Sequence, residues 1–218
     1  MKNDLFSIGP FTVHGYGLMI AIGVLSAYYM VEYRAKKKQM DWEKVFPLTV
    51  WSVLGGFLGS KILYLLTRLP DILANPALLG SSIKDGFVVY GGIIGGILTA
   101  WIYCKCTKWN FWKIFDIAMP AVAMAQGFGR IGCLLAGCCY GIELDPANPI
   151  GIVFHNSAYA PNDVALLPTQ IISSVLDFAN CFVLLALSKK LKTDGQVASC
   201  YLIFYSIGRF VLEYFRGD

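Results

Sequence analysis

The chain has 218 residues, of which 56% are hydrophobic and only 15% charged. Its mean hydropathy is +0.58. A water-soluble core of this size cannot hide so much apolar surface, which excludes an ordinary soluble domain. The formal charge of +4 says little as a sum, and the placement of the charges says more.

A hydrocarbon layer of ~30 Å needs about 20 apolar residues in helix. Six stretches meet that need, at Val13 to Tyr33, Val45 to Leu66, Phe87 to Tyr103, Phe111 to Leu135, Gln170 to Leu187 and Gln196 to Phe215. The first follows a short mixed segment, Met1 to Pro10, with no signal-peptide cleavage pattern, so it is expected to remain in the mature protein. The expected fold is an all-α integral membrane bundle of about six transmembrane helices, forming one transmembrane domain over residues 1–218.

Basic residues then orient the bundle. Arg34, Lys36, Lys37, Lys38 and Lys44 follow the first stretch, Lys105, Lys108 and Lys113 the third, and Lys189, Lys190 and Lys192 the fifth. These connections are expected on the cytoplasmic side. Ala136 to Pro168 carries no Lys or Arg, and Leu69 to Gly86 only Lys84, so both loops and both termini are expected outside.

Glycines crowd the second and third stretches, as Gly55, Gly56, Gly59, Gly91, Gly92, Gly95 and Gly96. Close helix packing is the leading explanation, and room for a bulky lipid the other. No nucleotide-binding loop, zincin helix, repeat or coiled-coil heptad is present, and no nucleic-acid partner is expected.

Charges inside the spans are more informative, because one at the bilayer centre costs ~2.5–3.5 kcal/mol even on the mildest scale. Arg130 stands toward the outer end of the fourth stretch. Arg209, Glu213 and Arg216 follow one another along the sixth, within about a 60° arc at helical spacing. They can form a self-neutralising stripe in which Arg209 pairs with Glu213 and Arg216 reaches the interface. Two guanidinium groups brought to one depth by different helices would instead suit a phosphate, since each planar fork can donate two hydrogen bonds. At that depth the available phosphate is a phospholipid headgroup. Asp177 and Asn180 add polarity to the fifth stretch and are expected to satisfy a buried partner, or else to line a cavity.

The residues around these arginines resemble a known family. The runs are His14-Gly15-Tyr16-Gly17-Leu18-Met19, Gly59-Ser60-Lys61-Ile62-Leu63-Tyr64, and Gly129-Arg130-Ile131-Gly132 followed by Gly137 and Gly141. Asp116 and Pro120, Pro168-Thr169-Gln170, and Arg209 through Arg216 complete the set. In this order they resemble the bacterial prolipoprotein diacylglyceryl transferases. The resemblance implies a cytoplasmic (inner) membrane enzyme moving diacylglycerol from phosphatidylglycerol to a cysteine thiol of a lipoprotein precursor, without cofactor or metal. It implies catalytic roles for Arg130 and Arg209. Tyr16, His14, Gly91, Gly92, Gln170, Glu213, Arg216 and Gly141 would line the substrate site.

The departures from the family pattern lie on the acceptor side. Val89-Tyr90-Gly91-Gly92 stands where Phe-His-Gly-Gly is usual, so a phenol, a donor rather than a base, replaces an imidazole. Cys133 replaces an Asn, Cys138 an acidic residue, and Leu167 and Ser173 the His and Glu that flank Pro-Thr-Gln. Members of the family usually continue through a further helix after the position of Arg216, so the chain reads as a shortened, divergent member. Tyr90 and Cys138 thus join the catalytic candidates, and Cys133 the substrate-binding ones.

Two alternatives follow. The first is a paralogue that keeps the arginines but uses another acceptor, or a mechanism in which Cys138 or Cys139 is the nucleophile, its thiol acidified by a nearby guanidinium. The second is a non-catalytic lipid-binding scaffold or small transporter, whose arginine stripe should be closed and fully paired. A metal held by Cys133, Cys138 and Cys139 is disfavoured by their spacing. Cys181 and Cys200 read as apolar packing residues.

Overall fold

A computed structural model describes residues 4–8, 11–75, 80 and 86–217. Lys84 lies outside the described residues. A hairpin of β1 (Asp4–Ile8) and β2 (Phe11–His14) leads into α1 (Gly15–Lys37). A 3-10 turn, Trp42–Lys44, precedes α2 (Val45–Thr67) and the short α3 (Leu69–Ala74). Then come α4 (Val89–Cys106), α5 (Phe111–Ala136), the two-stranded pair β3 (Ile152–Val153) and β4 (Ala165–Leu166), α6 (Thr169–Leu187) and α7 (Gln196–Glu213).

Five of these helices are long and apolar enough to cross a membrane: α1, α2 with its preceding turn, α4, α5 and α6. In lipid every backbone polar group must be satisfied internally, which is why such runs become helices. The sixth expected span is also a helix, α7. Gln196, Arg209 and Glu213 lie on it, and it falls short of the other five in hydropathy. Large apolar side chains face outward, as with Phe182 at 70% and Phe210 at 65% exposure, the inverse of a soluble surface.

The chain divides into two compact units, residues 35–114 and residues 1–34 with 115–218. In the first, α2 lies against α4 along the glycine rows. A Cβ on Gly59 would run into the Gly91 carbonyl, and one on Gly95 into the Gly55 carbonyl. The small residues therefore let two helix backbones touch, the packing expected of them. At the end of that contact, Leu48, Cys104 and Ile114 form a buried cluster, and the Tyr103 hydroxyl donates to the Lys44 carbonyl at 3.1 Å.

In the second unit, Met119 and Ala123 of α5 pack with Cys181 and Leu184 of α6 and with Val197, Ala198 and Tyr201 of α7. Cys181 is buried in this cluster and Cys200 packs against it, as expected of apolar fillers. The Tyr201 hydroxyl finds Gln126 Oε1 at 2.8 Å. Gly23 of α1 approaches Ala125 and Phe128 of α5. Arg34, expected in a connection, is instead inside α1 and only 7% exposed, with Nη2 donating to the Asp116 carbonyl at 3.4 Å. The helix runs a turn beyond the apolar stretch, and Arg34 and Ala35 of that turn are buried, a tertiary effect that hydropathy does not register.

The segment between α5 and α6 has its own small core, in which Phe154, Ala160 and Leu166 are buried. It also captures the end of the chain. Gly141 pairs with Arg216, Ile142 N–H donates to the Phe215 carbonyl at 3.0 Å, and Gly217 N–H donates to the Tyr140 carbonyl at 3.1 Å.

Candidate functional site

Three helices of the second unit converge on a cleft of about 300 Å³. Arg130 of α5, Ser173, Asp177 and Asn180 of α6, and Tyr205 and Arg209 of α7 supply its polar lining. The offsets of 4 and 7 from Ser173 to Asp177 and Asn180 place those three on one face of α6. Tyr205 and Arg209 are likewise four apart on α7. The helix period thus turns two polar rows inward, and α5 contributes a single guanidinium between them.

The two arginines are not equivalent. Arg209 is held by Glu213, Nη2 to Oε2 at 2.7 Å, and Arg216 reaches the same carboxylate oxygen at 3.5 Å. The stripe on α7 is therefore paired, as the self-neutralising reading expected. Arg130 differs, because among the described residues it has no ion-pair partner. Its positive charge faces a cleft also lined by Asp177, 7% exposed, and by Asn180, whose buried Oδ1 has no hydrogen-bond partner among the described residues. A closed stripe with every charge matched is not what the cleft contains.

Beside Arg130, α5 ends in a turn set by Gly137, whose φ of +77° is the left-handed conformation that closes helices. The N–H groups of Gly137 and Cys138 both return to the Cys133 carbonyl, at 2.9 and 3.1 Å. This folds the chain back, and the sulfurs of Cys133, Cys138 and Cys139 all lie within 4.8 Å of one another. The start of α6 locks the turn. Thr169 Oγ1 donates to the Cys139 carbonyl at 2.8 Å, and Gln170 Nε2 to the Cys138 carbonyl at 2.9 Å. Gln170 is 1% exposed, and its Oε1 has no hydrogen-bond partner among the described residues. Hydrogen bonds from the Cys133 and Cys138 thiols, with Arg130 and Arg216 nearby, hold the Cys139 thiol well below the usual thiol range.

The remaining candidates fall as follows. The Tyr16 ring packs on Gly132 and lies in the electrostatic neighbourhood of Arg130 and the three cysteines. His14 is exposed at the end of β2, just before α1. Gly141 is buried, its N–H donating to the Leu167 carbonyl at 3.0 Å, where a Cβ would meet Leu167 and Phe215. In the other unit, Tyr90 stands 75% exposed in the first turn of α4. Gly91 is in close contact with Gly59, and a Cβ on Gly92 would sit 3.4 Å from the Gly56 carbonyl.

Sequence reasoning named the arginines and noticed Asp177 and Asn180, but placed neither of the latter in the site. It missed Tyr205, and it took Ser173 only as the replacement of a family Glu. Their helical spacing relative to Gln170 and Arg209 was a usable signal, since Gln170, Ser173, Asp177 and Asn180 form one polar row on an otherwise apolar helix.

Fold and site together define a multi-pass helical membrane protein with a guanidinium-lined cleft among three of its helices. Comparison with known proteins agrees with that class and narrows it. The sequence profile of the family described as prolipoprotein diacylglyceryl transferase matches residues 3–218. A phosphatidylglycerol--prolipoprotein diacylglyceryl transferase of Clostridium tetani is 44% identical, covering 100% of this chain and 86% of the relative. The second such transferase of Clostridium perfringens is 43% identical over 100% of this chain and 84% of its own length, and that of Staphylococcus carnosus 32% over 98% and 78%. The chain belongs to the prolipoprotein diacylglyceryl transferase family.

Proposed function

We propose that the protein transfers the diacylglyceryl group of phosphatidylglycerol to the thiol of a cysteine in a lipoprotein precursor. The observation that carries this reading is the convergence of Arg130 and Arg209, from different helices, on one cleft, with Arg130 lacking an ion-pair partner among the described residues. The thiol sulfur attacks the glyceryl carbon that bears the phosphate, a C–S bond forms, and the C–O bond to phosphate breaks. Glycerol phosphate leaves with the bonding electron pair, and the thiol proton passes to a base or to water. Negative charge grows on the phosphate oxygens as the bond breaks, and fixed guanidinium donors in a poorly hydrated cleft stabilise it more than they stabilise the bound lipid. Arg130 is the donor that faces the cleft without an ion pair among the described residues. Arg209, oriented by Glu213, is the second.

The departures at Tyr90, Cys133 and Cys138 concern the acceptor half. Tyr90 serves as a hydrogen-bond donor, and His14, Tyr16, Gln170 and Gly141 border the route of the lipid headgroup. The membrane is the bacterial inner membrane, crossed by the five apolar helices and by α7. The lysine-rich connections lie inside, with the Ala136 to Pro168 loop and both termini outside.

The test is incubation of the purified full chain with phosphatidylglycerol and a peptide carrying a lipoprotein-type cysteine, read by mass spectrometry of the peptide. Thioether-linked diacylglycerol on the peptide is expected with wild type and should form far more slowly with Arg130→Ala. A wild type that binds the lipid but never modifies the peptide would overturn the reading.

A further inference from the structure

The turn that ends α5 gathers three thiols that the proposed transfer does not require. Cys133 is on the helix, Cys138 and Cys139 follow the left-handed Gly137, and Cys139 itself has a φ of +58°. The pairwise sulfur separations of at most 4.8 Å are close to what one metal ion imposes. Bonds of about 2.3 Å to three sulfurs set them roughly 3.8 to 4.0 Å apart in tetrahedral or trigonal geometry, a closure of about 1 Å or less. All three cysteines are free and half-buried, so the group is both assembled and reachable. From the sequence, the C-x4-C-C spacing argued against a metal, because it is not that of a zinc site and the loop offers only His155 as a histidine ligand. The reversal at Gly137 removes the spacing objection by folding Cys138 and Cys139 back onto Cys133.

We propose that Cys133, Cys138 and Cys139 form a three-sulfur site for one thiophilic d10 metal ion, Zn2+ with an outer fourth ligand or Cu+ in trigonal coordination. Three soft donors without a carboxylate select against Mg2+ and Ca2+, which need oxygen. Binding displaces the protons that the thiols still hold and forms three metal–sulfur bonds, with no change of oxidation state. The complex carries a net charge of −1 with Zn2+ or −2 with Cu+. Arg130 and Arg216, both within electrostatic range of the Cys139 sulfur, offset that charge. Outside the sulfurs, the Thr169 and Gln170 hydrogen bonds to the Cys139 and Cys138 carbonyls fix the ligand-bearing backbone, the orienting role that an outer shell plays. The ion would pin the end of α5 next to Arg130.

The experiment uses the full chain in detergent, reduced and stripped of metal, with Cd2+ as the spectroscopic probe of thiolate coordination. One equivalent of Cd2+ per chain is expected, with sulfur-to-metal charge-transfer absorption. Cys138→Ser should weaken binding on the order of 100-fold or more, at least the upper end of what outer-shell changes cost. Cys106→Ser and Cys200→Ser should leave it unchanged. Competition by Zn2+ and by Cu+ against Cd2+ assigns the ion, and displacement by either supports the site. If Cys138→Ser does not fold, wild type answers instead, since Zn2+ or Cu+ should protect Cys133, Cys138 and Cys139 together from maleimide. Cd2+ binding that survives in Cys138→Ser, an absence of thiolate absorption, or a stable disulfide within the trio under mild reduction would each overturn the proposal.

Discussion

Asp116 Oδ1 accepts the backbone N–H of Ala198 at 2.8 Å, with Oδ2 accepting that of Gly195 at the same distance. A carboxylate on α5 thus caps α7, the helix that carries Arg209. The first-turn N–H groups of α7 lack intrahelical partners, and an acidic group there also complements the helix dipole. Asp116→Ala should destabilise the protein by about 1.5–3 kcal/mol, the range for hydrogen bonds to a charged group. It should also loosen the cleft. Thermal unfolding in detergent checks the first effect, and an unchanged midpoint would contradict it.

The inequality of the arginines predicts unequal mutants. Arg130→Ala removes the one arginine of the cleft that has no ion pair among the described residues, and should lower the transfer rate by ~100- to 1,000-fold, as losing a preorganised donor does. Arg130→Lys keeps the charge but not the fork, and should recover only part of that loss. Rates from single-turnover peptide modification decide this, and equal activity of Arg130→Ala and wild type would exclude the assigned role.

Glu213 joins Arg209 and Arg216 through one carboxylate oxygen. Glu213→Gln should leave the fold intact, because the carboxylate is more than half exposed. It should let Arg209 swing from its position, slowing transfer ~10- to 100-fold by misplacement alone. Glu213→Asp, shorter by one carbon, should lie between. A rise in activity with Glu213→Gln would mean that the pair restrains Arg209 instead of orienting it.

In the other unit, contact between α2 and α4 depends on the absence of side chains. Gly59→Ala would drive a Cβ into the Gly91 carbonyl and should destabilise the protein by about 1–3 kcal/mol, the usual cost of overpacking. Gly56→Ala meets the Gly92 carbonyl at 3.3 Å, a contact the helices can relieve with a small shift, and should cost less. Denaturation of both variants in matched detergent provides the comparison. The reverse order would be inconsistent with the glycine contact.

Cys139 gives a pH prediction with a definite sign. Its thiol is held below the usual range by its cysteine neighbours and by Arg130 and Arg216. A depressed pKa means the thiolate persists as pH falls, whereas an ordinary thiol loses about tenfold of its thiolate per unit below ~8.5. Alkylation of Cys139 by iodoacetamide in metal-free protein should therefore be nearly flat from pH 8 to pH 6. Peptide mass spectrometry reads it, and a hundredfold fall over that range would refute the shift.

Much of the fold was legible because membrane insertion is a one-dimensional constraint. The expected starts at Val45, Phe111 and Gln196 are those of α2, α5 and α7, the expected end at Leu187 is that of α6, and the other helix limits shift by only a few residues. Arg34 escaped that logic, because α1 runs past the apolar stretch and buries it beside Asp116. The site was legible in part. Arg130, Arg209 and Glu213 stood out as charges in apolar helices, whereas Ser173 and Tyr205 are ordinary in helices and show their place only when α6 and α7 meet.

Taken alone, the sequence determined that this is a helical membrane protein, where its helices run, and which charges need a reason, because hydropathy and the cost of a buried charge are local properties of the chain. Tertiary structure decided which charges are matched and which sulfurs meet. Glu213 holds Arg209 and reaches Arg216 just beyond α7 while Arg130 is left facing the cleft, and the turn at Gly137 folds three cysteines into one group. Pairing and convergence depend on how separate helices pack and on the path of a single turn, distances that spacing along the chain does not contain.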